Sequence, residues 1–112
     1  MTRSLSMVWI SGSRLGQPTV LTEHETTIGT APSCDLVIHD RLILPHHAAF
    51  RTILGRWFVV SLDPRATLFV NGEPVTTQQR VNEGDLVTLG TATFRALLGQ
   101  LAAREVGSSN HW

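Results

Sequence analysis

Short apolar segments recur along this chain with turn-forming residues between them, which is the pattern of an all-β protein. Residues 7–11 read as a first strand, closed by the polar turn Gly12, Ser13, Arg14. Residues 19–21 and 26–28 flank an acidic turn at 23–25, and residues 36–38 make a compact strand ahead of a loop at 39–45. Residues 47–53 and 56–62 form a hairpin about Gly55. In its second arm Trp57, Val59 and Ser61 alternate with Phe58, Val60 and Leu62, the period-two pattern of a strand with two different faces. Residues 67–70 lead into Asn71 and Gly72, a pair with strong hairpin-turn character, and 74–75 follow. Gly84 and Asp85 turn into a strand at 86–89, which Gly90 joins to 93–98. The architecture these segments predict is a two-sheet antiparallel β-sandwich. Residues 97–106 carry helical composition instead. Leu97, Leu98, Leu101 and Ala102 fall on one stripe, predicting a short C-terminal helix followed by a fraying end at 107–112.

A chain of 112 residues with 42% hydrophobic content makes one domain with a real core. Its formal net charge of zero argues against a nucleic-acid partner and against electrostatic binding to a membrane surface. No apolar run approaches the ~20 residues that span a bilayer, so direct membrane insertion is not expected. The N-terminus has no apolar signal region, which points to a cytoplasmic protein. All nine basic residues other than His are Arg, as in a GC-rich bacterial genome. Any anion met here is therefore met by guanidinium, imidazole, hydroxyl or backbone groups.

Candidate chemistry is sparse. The single Cys34 cannot form an internal disulfide or a zinc site and reads as structural. Asp35, Asp40, Asp63 and Asp85 stand at strand ends and turns, where Asp bonds locally to backbone. Ser11, Ser13 and Ser33 have no nucleophile signature around them, so no catalytic residue and no enzyme is expected. Adjacent His46 and His47 point to opposite faces of a strand, which predicts no metal site and no cofactor.

One ordered set of turn markers carries a resemblance. Ile28, Gly29, Cys34 to Ile38, Asp40, Ile43, His47, Ala48, Val70, Asn71, Gly72, Gly84, Asp85, Leu89, Gly90 and Phe94 together resemble the forkhead-associated domain. The likeness covers residues 6–98 and leaves 99–112 as a tail. It implies a sandwich of about eleven strands with ligand-reading loops at one end, and a non-enzymatic module that usually binds phosphothreonine peptides. It also assigns scaffold roles: Gly29 to a tight backbone path, His47 to bracing neighbouring loops, Asn71 and Gly72 to a distant hairpin, and Gly84, Asp85 and Gly90 to late turns.

The pocket positions implied by the same resemblance hold other chemistry. The phosphate-binding Arg after Ile–Gly is Thr30, the Ser–Arg pair ahead of the His is Leu44 and Pro45, and the Asn–Gly–Thr is Ala66, Thr67, Leu68. Three charge-assisted contacts at ~1.5–3 kcal/mol each amount to roughly 4–9 kcal/mol. A peptide bound at ~1 μM has only about 8 kcal/mol in total. The expectation is a degenerate domain that recognises a protein partner without phosphate, through a loop surface of Thr30, Arg41, Leu42, Leu44, Pro45, His46, Arg65, Ala66 and Leu68. Leu44 or Leu68 turning inward to fill the vacated pocket is the competing account. Two other readings stand beside it: a phosphopeptide pocket rebuilt from Arg41, Arg65, Thr30 and Ser33, and a self-associating structural subunit. Ile43 to His47, with Pro ahead of the His, is also similar to pocketless forkhead-associated domains of type III secretion ring proteins, which would place the chain in a larger assembly.

Overall fold

The computed structural model describes residues 3–99, which form eleven strands and no helix. The strands are β1 (Leu5–Ser11), β2 (Thr19–Leu21), β3 (Glu25–Gly29), β4 (Leu36–Val37), β5 (Ala48–Ile53), β6 (Arg56–Ser61), β7 (Leu68–Val70), β8 (Glu73–Pro74), β9 (Gln78–Arg80), β10 (Leu86–Leu89) and β11 (Ala92–Leu98). They make two sheets, ordered β2-β1-β11-β10-β7-β8 and β4-β3-β5-β6-β9. Every pairing is antiparallel except β3 with β4, which is parallel.

The core lies between the inner faces of the two sheets. Alternate residues supply it: Leu5, Met7 and Trp9 from β1, Trp57 and Val59 from β6, and Phe94 and Ala96 from β11 are all buried. Phe94 is the aromatic hub, meeting Trp9 edge-on at 5.1 Å between ring centroids and Phe50 at 5.6 Å. The start of β1, the end of β11 and the β5–β6 hairpin tip lie at one end, where the Trp57 indole meets the Arg3 carbonyl. Loops 30–35, 38–47, 62–67 and 90–91 gather at the other.

Several sequence expectations change. Leu97 and Leu98 belong to β11, opposite Ser6 and Leu5, and not to a helix; the ladder with β1 overrides their helical propensity. The remainder of the expected helix and the fraying end lie outside the described residues. Strand β9 carried no apolar signal, because all three of its side chains are exposed on a sheet edge. His47 precedes β5, and its side chain leaves the ladder for another task.

Gly29 shows why the fold positions its loops so tightly. A Cβ there would collide with the Pro45 carbonyl and lie 2.9 Å from the Leu44 oxygen. Backbone cannot yield as a flexible side chain does. Gly29→Ala is therefore expected to cost about 2–3 kcal/mol in urea denaturation. Gly72→Ala, where only the left-handed φ of 83° is strained and the space is open, should cost about 1 kcal/mol.

Candidate functional site

His47 joins the loops at the end where Gly29 lies. Its ring is fully buried. Nδ1 accepts the Leu44 N–H at 3.1 Å, and Nε2 lies 2.7 Å from the Thr67 carbonyl. A carbonyl only accepts, so Nε2 carries the proton and the ring is neutral. Burial pushes its pKa below the usual value, against the opposing pull of the Thr67 carbonyl and the Asp63 carboxylate. Loop 38–47 is thereby tied to loop 62–67 through one side chain. The backbone completes the tie to β3: Thr30 N–H donates to the Leu44 carbonyl at 3.0 Å and Ala31 N–H to the Pro45 carbonyl at 3.1 Å. The Cys34 thiol donates to the same Pro45 carbonyl at 3.2 Å and sits 3.8 Å from His46 Nδ1.

The front of the loop rests on the β10–β11 turn. The Arg41 carbonyl accepts both the Thr91 N–H and hydroxyl, at 3.2 and 3.1 Å. A Cβ on Gly90 would approach the Arg41 and Leu42 carbonyl groups to within 2.9 Å. Leu42 itself takes a left-handed φ of 67° and is 62% exposed. That combination places an apolar side chain in water at the expense of backbone strain.

Asp63 and Asp85 bond to nearby backbone as expected, whereas Asp35 and Asp40 reach across to other segments. Asp35 accepts the Thr27 N–H and hydroxyl at 2.9 and 3.1 Å, while Asp40 accepts the Ser13 N–H. Asp85 accepts from the Asn71 amide at 3.0 Å and from the Asn82 N–H at 2.7 Å, closing the turns at the far end. Asp63 accepts the Arg65 N–H and both arms of its guanidinium, Nε at 3.2 Å and one terminal nitrogen at 2.9 Å. These bonds hold the Asp63 carboxyl down at about 2. Among the described residues no group of three or more His, Cys, Asp or Glu side chains could hold a metal ion.

The structure therefore sorts the residues singled out in sequence. Thr30, Leu44 and Pro45 meet through backbone bonds, and His47 brings Leu44 to Thr67 beside Ala66. Arg41 and Leu42 stand on the β10–β11 turn. Arg65 is matched to Asp63, so as a phosphate fork it has a competitor already in place. Leu68 is not on the contact surface: it is 2% exposed and packs in the core, because the β7 ladder with β10 turns it inward. An open groove of about 400 Å³ runs beside loop 62–67, rimmed by Pro64, Ala66 and Phe69 with Leu68 and Val75 in its lining. Leu62, 38% exposed, and Pro64 join this end although neither was singled out; the outward phase of the 56–62 alternation carried the signal for Leu62.

His47→Ala leaves a buried N–H and C=O unpaired and is expected to cost roughly 2–4 kcal/mol, read by urea denaturation at pH 7.5. The parent protein holds the full contribution of the neutral ring above pH 6.5, the ordinary value. It loses that contribution as pH falls toward the lowered folded value, since the unfolded chain takes up the proton first. The variant should lose less stability than the parent between pH 7.5 and 5.5.

The FHA domain profile matches residues 26–90, more than half of the chain. No curated protein matches it in sequence. Among solved structures, the FHA domain of a hypothetical protein of Arabidopsis thaliana aligns with a TM-score of 0.79 at 21% identity, covering 88% of each chain. EmbR of Mycobacterium tuberculosis, solved with a low-affinity phosphopeptide, aligns with a TM-score of 0.76 at 18% identity over 87% of this chain and 25% of EmbR. The FhaA FHA domain, solved with the intracellular domain of Rv3910, aligns with a TM-score of 0.71 at 21% identity over 82% of this chain and 98% of that one. With the profile matching more than half of the chain and the fold shared with solved FHA domains, the chain belongs to the FHA domain family of protein–protein interaction modules.

Proposed function

We propose that this domain recognises a protein partner through its loop end without requiring a phosphate. One observation carries the reading: the positions that face a phosphate by resemblance hold no charge-assisted donor. Thr30 offers a hydroxyl, Leu44 and Ala66 offer none, and the Leu44 N–H is committed to His47. The guanidinium of the 62–67 loop is forked to Asp63. A phosphate dianion entering here would have to displace that carboxylate and sit beside its negative charge. What the loop end does present is apolar: Leu42 and Leu62, Pro45 and Pro64, and the groove beside Ala66. Arg41 and His46, both exposed, provide a polar rim to this surface.

The reading retains a bacterial cytoplasmic setting, to which the lysine-free composition and the single buried thiol point. No helix among the described residues is long and apolar enough to cross a membrane.

Titration with paired peptide libraries, phosphothreonine against threonine, tests it through amide chemical shifts. The expected result is no phosphate-dependent shift at Thr30, Arg41 or Arg65, and affinities for the two libraries within about threefold. A preference of a hundredfold for the phosphorylated library, worth about 2.7 kcal/mol, would overturn the proposal. The combined change Thr30→Arg, Leu44→Ser, Pro45→Arg and Ala66→Asn is expected to raise phosphothreonine affinity at least tenfold, since it returns donors to a scaffold that is otherwise in place.

A further inference from the structure

The pole opposite the recognition loops holds a second constellation. Arg3, Arg56 and Arg80 line one small cleft, with Trp57 and Leu98 beneath them and no acidic residue in the lining. They reach it from three separate segments: the chain before β1, the start of β6 and the end of β9. The Arg3 backbone is held beside the cleft, because the Trp57 indole donates to its carbonyl at 2.6 Å from inside the core. Among the described residues the guanidinium ion pairs are Arg51 with Glu25 and Arg65 with Asp63, so none of these three is matched to a described carboxylate. Three like charges around one cleft repel one another, and an anion placed among them relieves that repulsion. Guanidinium groups are suited to carboxylate and phosphate oxygens by their planar fork.

Two neighbouring features indicate what carries the anion. The tip of the β5–β6 hairpin is Leu54, 91% exposed at a left-handed φ of 53°, with Ile53 also exposed beside it. Edge strand β9 has a free side, and its register with β6 directs the backbone groups of Gln78 and Arg80 toward that side. An extended segment can pair with that edge, lay an apolar side chain against Leu54 and place its acid among the arginines.

We propose that this pole is an anion-binding site for an extended peptide segment in which acidic and apolar residues alternate, used independently of the loop end. The probe is a fluorescein-labelled octapeptide of alternating Glu and Leu, with a Gln–Leu octapeptide as the uncharged control and a phosphoserine–Leu octapeptide to separate carboxylate from phosphate. Saturable binding of the Glu–Leu or phosphoserine–Leu peptide, weakening at least fivefold from 50 to 500 mM salt, is the expected result, with the tighter of the two naming the anion. Arg56→Gln and Arg80→Gln should each weaken binding about tenfold. Both side chains are exposed, so thermal melts close to the parent's are expected and exclude unfolding as the cause. Arg14→Gln, on the far side of the molecule, should bind as the parent does. No saturable binding of either acidic peptide, binding of the Gln–Leu peptide as tight as that of the tighter acidic peptide, parental affinity in both arginine variants, or binding to phosphatidylserine vesicles with none to either acidic peptide would overturn the proposal.

Discussion

The spacing of two loops at one end of the sandwich depends on one buried imidazole. His47 accepts from Leu44 and donates to Thr67, so two loops separated by some twenty residues of chain are held at a fixed spacing by two hydrogen bonds. The arrangement requires a neutral ring with its proton on Nε2. Burial supplies that state by penalising the charged form. Gly29 and Gly90 are the steric counterparts of this bond, because each lets a backbone segment of the 38–47 loop lie directly against another strand's end. Remove the imidazole and the loop loses its only side-chain link among the described residues to the 62–67 segment; fill either glycine and it cannot seat.

This division of labour separates the groups that hold the loops from the side chains that the loops present. The groups that hold the loops are backbone carbonyls, backbone amides, glycines and His47. The positions that differ from a phosphate-reading pocket, Thr30, Leu44, Pro45 and Ala66, contribute mainly their backbones to the fold. Side chains can therefore be exchanged there without disturbing a structural bond. Asp63 goes a step further. By turning the chain through the Arg65 N–H it also captures the Arg65 guanidinium, so a residue that looks available in sequence arrives at the surface already neutralised.

Net charge conceals a comparable subtlety. Equal numbers of acidic and basic residues argue against a broad electrostatic surface. The fold still segregates charge locally. It pairs Arg51 with Glu25 across β3 and β5, and it collects Arg3, Arg56 and Arg80 at a pole where no acid lines the cleft. Composition is blind to such placement.

The sequence by itself determined the sandwich, because period-two alternation, turn glycines and the Asn71–Gly72 pair are local signals repeated along the whole of residues 5–98. It also fixed which side chains stand at the loop positions, since Thr at position 30 needs no coordinates to be noticed. Tertiary structure alone decided the rest. β9 was invisible because an edge strand with every side chain in water needs no apolar pattern. Leu97 and Leu98 were drawn from a helical stripe into a strand because β1 offered them a ladder. Leu68 turned inward, Arg65 closed on Asp63, and three arginines met at one pole, each through contacts set by register and turn geometry. Local propensity is carried by neighbours in the chain, whereas the company a side chain keeps is fixed only when distant segments pack.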